Sequence, residues 1–60
     1  MRNYLITIRA YEEPDKFLSR AYTVMCSDLN EAYKEGFEIF MSNLEPNFHP
    51  EYFSIYGEEV

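Results

Sequence analysis

The sequence is poor in the residues that build covalent, catalytic or phosphate-binding sites. One cysteine, one histidine and two glycines occur among its 60 residues, and tryptophan is absent. With Cys26 alone no intramolecular disulfide can form, and a lone thiol is more typical of a reducing compartment than of a secreted scaffold. Gly36 and Gly57 lie too far apart to form a glycine-rich loop that cradles phosphates. A disulfide-stabilised scaffold is therefore excluded, and no glycine-rich phosphate-binding loop is expected.

Long apolar runs are missing as well. No stretch approaches the roughly 20 apolar residues of a transmembrane helix. The first residues, MRNY, lack the apolar core of a secretory signal. We therefore expect a cytoplasmic protein without a membrane partner.

Catalytic equipment is limited to two weak candidates. His49, with Glu51 two residues on, has the residue types of an acid-base pair, but one imidazole between Phe48 and Pro50 is more typical of an exposed or packing residue. Cys26 is expected at the end of a strand, where it suits a small buried apolar side chain. Its position before a helix is the only argument for a reactive thiolate. One Cys and one His lack the spacing of a zinc site, and the acids show no calcium-loop pattern. The sequence predicts no enzyme, no metal and no cofactor.

What the chain does contain is negative charge, concentrated in its second half. Residues 1–27 carry four basic and three acidic side chains. Residues 28–60 carry eight acidic side chains and one basic side chain, Lys34, and the net charge of the whole chain is −6. Such a field bears on partners and solubility rather than on fold.

Aromatic residues are the second abundant class, with six Tyr and five Phe. A domain of this size buries only roughly 60% of the surface that its unfolded chain exposes, and is therefore marginally stable unless something supplements the core. Because disulfides are excluded, we expect aromatic side chains, or an oligomer, to supply that supplement.

Hydrophobic periodicity predicts two strands followed by a helix and a third strand. Residues 4–11 alternate, with Tyr4, Ile6, Ile8 and Ala10 on one face, and a second β-rich run spans 17–26 after a longer loop at 12–16. We place Tyr22, Val24 and Cys26 of that run inward. Residues 52–56 alternate again.

The helix is predicted from a capping signal. Asp28 followed by Glu31 has the spacing of a capping box, and the helix should run to about Asn43, since Pro46 limits continuation. Gly36, near the middle of its apolar face, predicts a close approach to the sheet. The expected fold is a single α+β domain over 1–60, with β-β-α-β order, a mostly antiparallel three-stranded sheet and one helix on one face.

One face of this sheet has no helix to cover it. An exposed apolar and aromatic patch is typical of an interface, and homodimerisation is the simplest use of it. Base stacking on its tyrosines would suit a nucleic acid, but the net charge of −6 repels phosphates, so we expect no direct nucleic-acid binding. We expect this face to be the second-choice interface of the protein, with contacts from Leu5, Arg9, Tyr11, Tyr52 and Tyr56.

The acidic residues of the helix form the first-choice interface. At 100° per residue they fall within an arc of about 80°, opposite the apolar face and with Lys34 as the sole nearby cation. One interpretation is a solvated face that maintains solubility. The other is a contact for a basic partner, in its sharpest form a nucleic-acid mimic, because the carboxylates are spaced along about 15 Å at 1.5 Å per residue. This acidic stripe consists of Asp28, Glu31, Glu35 and Glu38.

From these observations we expect a non-enzymatic inhibitor or regulator that occludes a basic surface of a partner protein, with a nucleic-acid-binding surface as one form of that prediction. In size, acidity and lack of catalytic residues the chain resembles small accessory inhibitors encoded by phages and other mobile elements, a likeness of general character without matched residues. The alternative is a homodimeric structural or adaptor domain whose acidic face only confers solubility.

Overall fold

Four elements follow one another in the order strand, strand, helix, strand in a computed structural model that describes residues 1–60. They are β1 (Arg2–Glu13), β2 (Lys16–Cys26), α1 (Leu29–Ser42) and β3 (Tyr52–Glu59). The strands form one antiparallel sheet with the order β2-β1-β3, so that β1 is central. The predicted α+β fold with β-β-α-β order is confirmed.

The alternation in β1 arises because one face of the sheet is buried beneath α1. Tyr4, Ile6, Ile8 and Ala10 are all buried, as predicted, and Val24 and Cys26 of β2 join them. Half-buried Tyr22 lies at the margin of this core. Because successive strand residues point to opposite faces, the intervening residues face away from the helix.

The hairpin between β1 and β2 is tighter than the sequence indicated. A longer loop was expected at 12–16, but the strands continue until Glu13 pairs with Lys16, and only Pro14 and Asp15 lie in the turn. Proline is compatible with this turn because its φ is fixed near −65° and a turn residue need not donate to the ladder. An ion pair of 3.6 Å between Glu12 and Lys16 lies beside it.

The helix begins and ends close to the predicted positions. Asp28 is the N-cap, and its side chain accepts a hydrogen bond of 2.9 Å from the backbone N–H of Glu31. Asn43 is the C-cap, where its side-chain amide donates to the carbonyl oxygen of Ile39 at 2.9 Å. The one helix of the chain, α1, is not long and apolar enough to cross a membrane.

Close contact between α1 and the sheet depends on small residues. Ala32 and Gly36 are buried on the inner side of the helix together with Phe40. A β-carbon at Gly36 would lie 2.8 Å from Cγ2 of Ile6, which leaves no room for a side chain. The predicted close approach at Gly36 is therefore confirmed.

The third strand is longer than its alternating segment indicated. Pairing with β1 continues beyond Tyr56, through Gly57 opposite Ile6, to Glu59 opposite Tyr4. An ion pair of 3.7 Å between Arg2 and Glu59 lies near this end. The extra pairing arises because the first half of β1 offers unpaired backbone groups on the side away from β2.

Candidate functional site

Two surfaces contain the residues that the sequence selected, and they lie on opposite sides of the molecule. The first is the acidic stripe on α1, and the second is the uncovered side of the sheet. Each is described below from the contacts of its side chains.

The N-terminal part of the acidic stripe is fixed by the helix start. Asp28 caps the helix, as described above. The carboxylate of Glu31 accepts hydrogen bonds from the backbone N–H of Ser27, at 3.4 Å, and from the Ser27 hydroxyl. In a regular capping box the glutamate would accept from the N-cap residue itself; here it accepts from the residue before it. Both carboxylates also interact favourably with the positive end of the helix dipole.

Glu35 contacts the thiol of Cys26 at the edge of the core. The thiol of Cys26 donates a hydrogen bond of 3.1 Å to the carboxylate of Glu35. This hydrogen bond, burial, and the negative charges of Glu35, Glu31 and Asp28 raise the pKa of Cys26 from 9.0 to about 11. The helix N-terminus was the one sequence argument for a lowered pKa, and the nearby carboxylates outweigh it. Cys26 is therefore a protonated thiol at neutral pH.

The rest of the stripe is open to solvent. Glu31, Lys34, Glu35 and Glu38 line a shallow depression of about 420 Å³ that contains no apolar side chain. Glu38 forms no side-chain hydrogen bond, and neither ion pair of the protein includes any stripe residue or Lys34. No ion pair therefore offsets the negative charge of the stripe, although three of its four carboxylates have hydrogen-bond partners within the chain.

The uncovered side of the sheet, here called the open face, is defined by the strand register. Tyr11 lies between Phe17 on β2 and Tyr52 on β3, so three rings form a row across all three strands. Tyr11 and Tyr52 are stacked with their centroids 4.7 Å apart, and Tyr11 and Phe17 are 5.3 Å apart. The open face comprises Leu5, Thr7, Arg9, Tyr11, Phe17, Ser19, Ala21, Thr23, Met25, Tyr52, Ser54, Tyr56 and Glu58.

Four of the five residues of the second-choice interface lie in this aromatic row or beside it. The guanidinium of Arg9 lies over the ring of Phe17, 5.4 Å from its centroid. Arg9 and Tyr56 also line a depression of about 270 Å³ together with Thr7 and Ser54. Leu5 is half-buried and pairs with Thr23 and Glu58, farther along the strands.

Phe17 belongs to the open face, although the sequence analysis did not place it there. Its ring contacts Tyr11 and Arg9 and is 47% exposed. The alternation that turns Tyr22, Val24 and Cys26 inward leaves the odd-numbered residues of β2 on the open face, and extending it to the start of the strand would have included Phe17.

The weaker catalytic candidates are not brought together. His49 and Glu51 are both exposed, and no hydrogen bond or ion pair joins their side chains. No group of three or more His, Cys, Asp or Glu side chains is arranged to hold a metal ion.

Comparison with protein-family models, curated protein sequences and solved structures gave no match to this chain.

Proposed function

We propose that this protein is a non-enzymatic regulator that binds a basic surface of a partner protein through the acidic stripe and thereby occludes that surface. The observation that carries this proposal is the absence of any ion pair from the stripe. Both ion pairs of the chain are formed by strand residues. Lys34 is the one cation within a helical turn of the stripe, and it forms no ion pair there. Glu31 and Glu35 are a like-charged i,i+4 pair, which destabilises a helix and is not expected of carboxylates that serve only stability.

The hydrogen bonds within the stripe favour the binding of a basic partner and do not compete with it. The donors to Asp28, Glu31 and Glu35 are an amide, a hydroxyl and a thiol, all of them neutral. Neutral donors leave the charge of a carboxylate in place and restrict its rotamers. Because immobilising a side chain costs roughly 0.5–1.5 kcal/mol on association, carboxylates that are already held bind a cationic surface at lower entropic cost.

The expected partner is a protein with an arginine- or lysine-rich surface, in the cytoplasm, where the lone thiol stays reduced. Phosphate groups are the natural ligands of many such surfaces, and a row of carboxylates along one helix is a plausible substitute for them in charge and spacing. This mode of action is the one that small inhibitors of phages and mobile elements would use.

The test compares the native chain with two triple variants of equal charge. One replaces Glu31, Glu35 and Glu38 with Gln. The other replaces Glu13, Glu45 and Glu51, which are exposed and lie outside the stripe. All three proteins are used for affinity capture from nuclease-treated lysate, and the captured protein is then purified and titrated with each of them at increasing salt.

The proposal requires a basic protein that binds the native chain and the control variant, loses at least tenfold in affinity to the stripe variant, and is released by salt. Equal affinity for the two variants would eliminate the stripe as the contact. Addition of duplex DNA distinguishes a nucleic-acid mimic from a binder of another basic surface, because only the mimic competes with DNA for the partner protein.

A further inference from the structure

The open face contains four of the eight large hydrophobic side chains that the fold leaves exposed. Phe17, Met25, Tyr52 and Tyr56 on this face are 47%, 59%, 48% and 62% exposed. Phe17 and Met25 lie on β2, and Tyr52 and Tyr56 lie on β3. Between them on β1, the ring of Tyr11 stacks on Tyr52 and contacts Phe17. Exposed patches of this kind mark interaction sites in soluble proteins.

We propose that the occupant of the open face is a second copy of this chain, packed sheet against sheet in a two-fold symmetric dimer. Charge is the first argument. Arg9 and Glu58 are the only charged residues of the open face, so that the face is neutral in a chain of net charge −6. Two copies repel one another through their acidic stripes, and the open face is a surface on which they approach without that penalty.

The small core is the second argument. Eight apolar residues form the buried cluster of the protein. Small domains supplement such a core with disulfides, a structural metal or an oligomer. The single Cys26 cannot form an intramolecular disulfide, and no group of side chains is arranged to hold a metal. A second copy adds apolar contacts to those that the aromatic side chains of each chain already supply.

The size of the face fits a small but specific interface. The three strands have 12, 11 and 8 residues. At a rise of about 3.3 Å per residue and a spacing of about 4.8 Å between strands, they define a face on the order of 500 Å². Two such faces reach the total of about 1,000 Å² that separates biological interfaces from incidental contacts. Packed sheets lie about 10 Å apart with their strands within about 30° of each other. The dimer then has four layers, helix, sheet, sheet and helix, with an acidic stripe on each outer side.

The test is the oligomeric state of the native chain and of two variants that differ only in where a charge is added. Tyr56→Glu adds a carboxylate in the middle of β3, on the open face. Met41→Glu adds the same charge in place of an exposed side chain on α1. Sedimentation equilibrium over a range of concentrations measures the dissociation constant, with circular dichroism as the check on folding.

The native chain and Met41→Glu are expected to sediment at twice the monomer mass of 7.2 kDa. Tyr56→Glu should raise the dissociation constant by roughly a hundredfold or more, because a substitution at a two-fold interface acts on both copies. A native chain that is monomeric throughout overturns the proposal. A dimer that Tyr56→Glu leaves unchanged also overturns it, and moves the contact to another surface, such as the unpaired edge of β2.

Two further measurements apply if Tyr56→Glu fails to fold. Ser54→Lys adds a charge to the same depression without removing an apolar group, and should weaken the dimer in the same way. Dilution of the native protein, followed by nuclear magnetic resonance, should shift the ring signals of Tyr52 and Tyr56 but not the methyl signal of Met41. Ring signals that do not change with dilution contradict the proposal.

Discussion

Gly36 of α1 lies directly against Ile6 at the centre of β1. A β-carbon on Gly36 would be 2.8 Å from Cγ2 and 3.1 Å from Cβ of Ile6. Ile6 is fully buried and β-branched, so its side chain has no free rotamer into which to move. The separation of helix and sheet is therefore set by the absence of a side chain at position 36.

Gly36→Ala is expected to destabilise the protein by about 1–2 kcal/mol. Overpacking of a core costs roughly 1–3 kcal/mol, and the gain of up to about 1 kcal/mol in helix propensity offsets only part of it. Urea unfolding at fixed protein concentration measures the difference.

Gly57→Ala provides the comparison for that prediction. Its β-carbon would approach Cδ1 of Ile6 and Cε1 of Tyr33, each at 2.8 Å, and Cδ1 of Leu29 at 3.1 Å. These atoms lie at the outer ends of their side chains, two of which are only half-buried. We expect a smaller loss of stability than for Gly36→Ala, and the reverse order would show that the contact with Ile6 is not the limiting one.

Asp28→Ala should lower the free energy of unfolding by about 1 kcal/mol. The substitution removes the side-chain oxygen that accepts the hydrogen bond from the backbone N–H of Glu31, and loss of an N-cap acceptor typically costs about 0.5–2 kcal/mol. Asp28→Asn keeps an acceptor oxygen and is the matched control, expected to retain most of the stability. An equal loss in both variants would assign the effect to charge rather than to capping.

Cys26 is expected to react slowly with thiol reagents in the folded protein at neutral pH. Only the thiolate attacks such reagents, and the carboxylate of Glu35 contributes to the pKa of about 11. Glu35→Gln removes that charge and should accelerate labelling at least severalfold. Glu38→Gln removes an equal charge from the next turn, away from Cys26, and should leave the rate unchanged. Rapid labelling of the native protein at neutral pH would contradict the geometry.

The raised pKa of Cys26 also predicts a loss of stability at alkaline pH. The folded protein retains the thiol proton up to about pH 11, whereas the unfolded chain releases it near 9.0. Because the folded state then binds more protons, stability is fully present below pH 9.0 and falls as the pH rises toward about 11. Cys26→Ala lacks this contribution while retaining the other titrating groups. The native chain should therefore lose more stability than Cys26→Ala over this range, and parallel losses would refute the assignment.

Much of the fold follows from patterns that act over a few residues. The period-2 alternation of Tyr4, Ile6, Ile8 and Ala10 predicted the buried face of β1, because a sheet half-covered by a helix imposes that period. Asp28 predicted the helix start, since an unpaired N–H needs a nearby acceptor. Gly36 predicted the close approach of helix and sheet. Each of these inferences depends on interactions within one element or with its immediate neighbour.

The candidate site depends more strongly on the tertiary structure. The sequence placed Tyr11 and Tyr52 on one face, but their stacking, and the inclusion of Phe17, required the strand order β2-β1-β3 and its register. Likewise the sequence placed Glu35 among solvent-facing acids, while only the packing of α1 beside β2 brought it to Cys26. Local patterns determine which way a side chain faces. Partners distant in the sequence are chosen by how the whole core packs, and no pattern within a single element contains that information.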